Sequence, residues 1–216
     1  MLLVDTSGWK VSAGHFSERH GLIFIIALGE AVISIGIGAS GLALDEQVII
    51  PSLLGLWIIV AMWWSYFDVN AIAAERRLHS LTGGDQVALA QHAYTYLHLP
   101  MVGGAILCSL AVKKILAHAY EPLSLIPTIA LSSGLAIYLL AQVVFTVRCG
   151  GPVSVPRLVI AVLLLLAIPI SDQFYALTLL VTASGLFAVL VVVEMWLDRE
   201  ARHKIRTSEH HTWAKG

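Results

Sequence analysis

Charge is scarce in this chain. Asp, Glu, Lys and Arg supply 12% of its 216 residues, about half of the ~25% found in soluble domains. With 58% hydrophobic residues and a mean hydropathy of +0.83, too little polar surface remains to cover a water-soluble globule. Cysteine is equally sparse. Cys108 falls in an apolar segment and Cys149 in a Gly-Gly-Pro loop; two such thiols exclude a disulfide framework, and no CxxC spacing offers a metal site. The HExxH spacing of zinc hydrolases does not occur, nor does a GxSxG nucleophile elbow or a phosphate-binding glycine loop. A formal net charge of −1 gives no argument for nucleic acid as a partner. The opening residues, MLLVDTSGWK, carry neither the charged n-region nor the apolar h-region of a signal peptide, so the first crossing is expected to act as its own signal. No cofactor is implied.

Six apolar stretches are left, at about 20–40, 48–68, 86–110, 124–146, 154–170 and 173–196. About 20 helical residues cross the ~30 Å hydrocarbon layer of a bilayer. The predicted fold is therefore all-α, a polytopic membrane bundle of six helices with the lipid bilayer as its surroundings. Residues 1–14 read as an interfacial arm, 74–85 as a charged, glycine-rich connector and 198–216 as a polar tail. Six crossings place both termini on one side. Eleven of the thirteen Lys and Arg residues then fall on that side, leaving Lys113 and Lys114 opposite. Positive residues concentrate on the cytoplasmic face, so both termini are expected there, in the inner (plasma) membrane.

Within the apolar stretches, Glu30 stands out. It interrupts the run Gly21–Ser40 near its middle, with Ser34 one turn further along. A carboxylate at that depth costs about 2.5–3.5 kcal/mol on insertion scales and marks a functional position by default. The third stretch begins DQVALAQHAYTYLHLP, and His92, Tyr94, Thr95, Tyr96 and His98 crowd its first turns. This half is expected to face the bundle interior, and Glu30 to meet it through His92, Thr95 or His98. Pro100 leaves the carbonyl of Tyr96 without its usual donor. Glu18, Arg19, His20 and Asp68 form a candidate cytoplasmic mouth. Tyr138 and Gln142 lie one turn apart in the fourth stretch. Glu194 is read as snorkelling to the interface, and the fifth stretch, with no ionisable group between Arg157 and Asp172, as peripheral and lipid-facing.

Three blocks, ERHGLIFIIALGEAVISIGIG, WWSYFD and AYTYLHLPMVGGAIL, resemble the bacterial low temperature requirement A (LtrA) family over roughly residues 15–107. The resemblance implies a multi-pass inner-membrane protein and points to Glu18, Arg19, His20, Glu30, Tyr66, Asp68, Tyr94, His98 and Pro100 as the matching positions. It supplies no molecular activity. Family members carry an earlier half with an ELFFDLVFV-like block, so this chain looks like their C-terminal half. Pairing as a homodimer, or with the missing N-terminal half, is the corresponding expectation. Three functions follow from these residues: a transport or permeation protein, proton-coupled if Glu30 and the histidines line the path; a membrane-embedded enzyme using the same Glu/His set on a lipid-like substrate; or a stress-adaptation membrane protein without turnover.

Overall fold

The computed structural model describes residues 12–199 and Arg202. Most of the proposed arm (1–14) and most of the polar tail (198–216) lie outside the described residues. The chain runs α1 (Ala13–Ala39), α2 (Glu46–Phe67), α3 (Asn70–His79), α4 (Gly83–Leu89), a π-helical segment (Ala90–Tyr96), α5 (Leu97–Ala117), α6 (Leu125–Arg148), α7 (Val155–Leu166), a 3₁₀ segment (Ile168–Gln173) and α8 (Ala176–Leu197). Five helical stretches are long and apolar enough to cross a membrane, and the shorter apolar α7 is the sixth. A six-span helical bundle is what the apolar pattern predicts.

Two boundaries differ from the sequence reading. The charged connector 74–85 is mostly helix, because α2 is followed after two residues by α3, whose last turn holds Arg76, Arg77 and His79. Basic side chains at a helix C-terminus complement its macrodipole, and α3 buries Ala74 and Leu78 against the bundle. The third span starts early, as α4 from Gly83, and passes through a π-helical segment before Pro100. Proline cannot donate to the carbonyl four residues back. The wider π register just ahead of it accommodates that loss, and such segments often sit at functional positions.

Packing follows the small residues. A Cβ on Gly104 would lie 2.5 Å from the carbonyl oxygen of Gly134, so α5 and α6 touch backbone to backbone. Gly55 admits Val112 in the same way between α2 and α5. Trp57 on α2 donates its indole N–H to the Ser184 carbonyl of α8 at 3.2 Å. The core between these helices holds Phe24, Ile58, Met62, Met101, Leu135 and Phe187. α1 is the least enclosed span. One stripe, through Phe24, Leu28, Ala31 and Ile35, is buried, while Ile26, Ile33 and Ile37 stand exposed on the other.

The N-terminal end of α1 and the C-terminal ends of α2, α6 and α8 share one end of the bundle. Arg19, Arg76, Arg77, Arg148, Arg157 and Arg202 lie there, and it is called the basic end below.

Candidate functional site

Two adjoining clusters of buried polar groups lie toward the basic end; Ser109, Thr128, Ser132 and Ser171 are buried away from it. The first is aromatic. Tyr66 of α2 and His98 of α5 share a hydrogen bond, hydroxyl to Nε2, at 2.7 Å. The His98 ring stacks on Tyr94 at 5.7 Å and meets the His20 ring edge-on at 5.2 Å. Phe24 bridges onward, 5.0 Å from the Tyr66 ring and stacked at 5.8 Å on Tyr138. Two polar atoms in this cluster, His98 Nδ1 and the Tyr94 hydroxyl, are buried with no hydrogen-bond partner among the described residues. Such orphans are costly inside a protein, and each calls for an explanation.

The second cluster is a ladder along α6. Tyr138, Gln142 and Thr146 repeat at intervals of four and face α2. The Tyr138 hydroxyl donates to the Met62 carbonyl at 2.5 Å and lies 2.8 Å from Ser65 Oγ. Gln142 donates its amide to Tyr138 and to Ser65 Oγ, while its own carbonyl oxygen is buried and unpartnered among the described residues. Thr146 donates to Asn70 Oδ1 at 3.2 Å. At the outer end stands an ion pair. Arg157, in the first turn of α7, meets both carboxylate oxygens of Glu194, in the last turn of α8, at 2.5 and 3.0 Å. A third contact, Arg157 Nη2 to the Ser65 carbonyl at 3.1 Å, ties the pair to α2. The two side chains are 4% and 6% exposed, so this is a bidentate pair almost fully withdrawn from solvent. Arg202 adds an outer clasp, 2.9 Å from Asp68 and hydrogen-bonded to the Glu194 carbonyl.

A cavity of about 540 Å³ opens at the basic end directly over this pair. Asn70, Thr146, Ser154, Arg157, Glu194 and Asp198 supply its polar wall. Eight residues of α-helix separate Thr146 from Tyr138, about 12 Å at 1.5 Å per residue. The ladder therefore carries polar groups from the cavity toward the middle of the span. Beyond Tyr138, α5 and α6 close backbone to backbone at Gly104 and Gly134, beside the buried Met101, Ala105 and Leu135; Ser132 and Thr128 are buried further along α6, the Thr128 hydroxyl without a partner among the described residues.

Several sequence expectations need correction. Glu30 is exposed on the outer face of α1 and does not meet the third span. The reason is register. His20 on α1 lies beside His98 on α5, and Glu30 is ten residues further along, about 15 Å away on the axis. The same register sets the π-helical segment level with the charged start of α1, Tyr94 meeting Phe16. His92, Thr95 and Tyr96 accordingly point outward, with Tyr96 accepting a hydrogen bond from Gln91 at 2.9 Å. Ser34 is half-buried. Of the candidates on the third span only Tyr94 and His98 turn inward, and of the proposed mouth His20 joins them while Glu18 and Arg19 are exposed. Asp68 pairs with Arg202. Glu194 does not snorkel, and α7 is not wholly peripheral, because Arg157 draws its first turn inward. Among the described residues no group of three or more His, Cys, Asp or Glu gathers at one point.

Arg157 and Glu194 are the residues that sequence reasoning misses, yet they carry a signal. A cation in a first helical turn and an anion in a last turn both oppose the helix macrodipole. α7 and α8 are consecutive and antiparallel, so those two ends meet and the misplaced charges answer each other.

The comparisons with known proteins agree with the sequence reading of the family. The model of the bacterial low temperature requirement A protein (LtrA) family matches residues 2–195. An uncharacterized protein of Rhizobium meliloti (strain 1021) is 33% identical over 111 residues, which cover 51% of this chain and 27% of that relative. No solved structure matches. With its apolar helices and a family match over nearly its whole length, the chain is a multi-pass integral membrane protein and belongs to the LtrA family.

Proposed function

We propose that this protein is a transport or permeation protein whose entrance is the cavity at the basic end. The observation that carries the reading is the continuity of polar groups. An open cavity sits on a buried Arg157–Glu194 pair, and Ser65, Gln142 and Tyr138 lead inward from it. Buried ionisable groups inside membrane spans are expensive and mark ion or solute paths. A small polar or ionic solute entering from this end meets a fixed cation and a fixed anion first. The unpartnered Gln142 carbonyl then offers it an acceptor further in. The backbone contact of Gly104 with Gly134 beyond Tyr138 fits a state open to one side only, as alternating access requires. In the inner membrane, with the basic end in the cytoplasm, the entrance faces the cytosol.

Flux into proteoliposomes tests this reading. A panel of small cations, anions and neutral polar solutes should include at least one that moves faster than in empty liposomes. Gln142→Leu, which removes a rung without touching a charge, should lower that flux while leaving the folded protein intact by size exclusion. Background-level flux across the panel, or wild-type flux in Gln142→Leu, counts against transport through this path.

A further inference from the structure

A second cleft, unconnected with the proposed entrance, opens sideways between α1 and the α2–α3 segment. Its volume is about 410 Å³. Its mouth is apolar: Leu22 and Ile25, 56% and 44% exposed, face outward on the lipid side of α1. Phe67 forms the inner wall, with the Gly21 backbone against it, close enough that a Cβ there would touch the ring at 3.4 Å. Toward the basic end the cleft is rimmed by two carboxylates, Glu18 from α1 and Glu75 from α3. Their partners are exposed histidines, His15 at 3.6 Å and His79 at 3.7 Å. Neither Arg19 nor Arg76 lines the cleft. At its floor lies Tyr94, 1% exposed, whose hydroxyl has no hydrogen-bond partner among the described residues.

We propose that this lateral cleft binds a membrane amphiphile with a primary ammonium head. Each requirement comes from a different residue. An apolar mouth on the lipid side takes an acyl or alkyl chain lying along α1. Two carboxylates at the interface end take a positive head and repel an anionic one. The Tyr94 oxygen accepts from an N–H, which a primary ammonium has and a quaternary one does not. This proposal concerns a different cavity from the entrance above and does not depend on it.

Native mass spectrometry of the full chain, released from non-ionic maltoside micelles, reads the binding. The probes are dodecylammonium, dodecyltrimethylammonium and dodecyl sulfate, with phosphatidylethanolamine, phosphatidylcholine and phosphatidylglycerol as the lipid set. Dodecylammonium should bind one per chain, about tenfold tighter than its trimethylated analogue, the difference made by one charge-assisted hydrogen bond. Dodecyl sulfate should not compete. A matching preference for phosphatidylethanolamine over phosphatidylcholine identifies bilayer lipid as the source; preference confined to the alkylammonium identifies a free amine amphiphile. Glu18→Gln with Glu75→Gln, both at the water-facing rim, should weaken both ammonium probes about tenfold. Tyr94→Phe should reduce the primary-over-quaternary preference, and Ile25→Trp, which fills the mouth, should block binding. All variants are compared at equal thermal stability and monodispersity. Equal binding of the sulfate, or unchanged affinity in the double Gln variant or in Ile25→Trp, overturns the proposal.

Discussion

The Arg157–Glu194 pair is the clearest case of side chains whose worth depends on each other. Withdrawing two charges from water costs several kcal/mol apiece, and mutual attraction offsets that only with full pairing. Here three hydrogen bonds from Arg157 satisfy both oxygens of Glu194 and a last-turn carbonyl of α2. Arg157→Met alone should destabilise the bundle by about 3–5 kcal/mol, since it strands a buried carboxylate, and Arg157→Met with Glu194→Leu should recover most of the loss. Denaturant unfolding in micelles measures both; equal destabilisation by single and double variants would deny the coupling. Cys149 offers a second test outside the spans. Burial pushes its thiol from 9.0 up to about 12, with the nearby Arg77 pulling weakly the other way. The thiolate, which is the reactive form, is then depleted at pH 8. Alkylation there should run about a thousandfold slower than for an unperturbed thiol, three pKa steps at tenfold each, and should rise tenfold per pH unit up to about 12. Rapid labelling at neutral pH would show that the 148–152 loop opens.

Helices make predictions that no single side chain does. α5 and α6 meet at Gly104 and Gly134, where an added Cβ would enter the opposing backbone. Gly104→Ala should cost about 1–3 kcal/mol by forcing the helices apart. It should also disturb Tyr138, whose Cβ would lie 2.9 Å from the added methyl group. Unfolding midpoints check the first part, and loss of flux the second. Such contacts explain why the spans are legible in the sequence and the site only partly so. Length and hydropathy define a crossing, and Pro100 announces the irregularity ahead of it. The residues facing inward depend on how one helix slides and turns against its neighbour: a one-turn error changes the level met by about 5.4 Å, and an error of about two residues exchanges faces. A third membrane entry at Gln86 would put His92 and Thr95 inside. The observed pairing of His20 with His98 sets them outside and leaves Tyr94 and His98 within. The same shift moves Glu30 away from the third span. It lies with Ile26, Ile33 and Ile37 on a helix face that nothing among the described residues covers.

The arrangement of the whole molecule rests on whether α7 crosses. Its 12 residues reach about 18 Å at 1.5 Å per residue, well short of a ~30 Å layer. The 3₁₀ segment Ile168–Gln173 follows it and rises more steeply, about 2.0 Å per residue. Its six residues add about 12 Å, and the two together span the layer. The hydrogen bonds from the Ala176 and Leu177 amides to the Glu121 and Ala119 carbonyls, at 2.8 and 2.9 Å, hold the start of α8 against the loop between α5 and α6, at the end opposite the basic one. Asp172, which is exposed, is therefore expected on the same side as Leu44 in the first loop, and Ser80 on the other. Single-cysteine variants at these three positions, in a background with Cys108 and Cys149 replaced, decide the matter with a membrane-impermeant maleimide applied to intact cells. Leu44→Cys and Asp172→Cys should label without lysis, and Ser80→Cys only after it. Labelling of Asp172→Cys together with Ser80→Cys would make α7 re-entrant, reduce the crossings from six, and separate the two ends of α8 from the sides assigned to them. Labelling of Ser80→Cys alone in intact cells would keep six crossings and invert the protein, turning the Arg157–Glu194 cavity away from the cytosol.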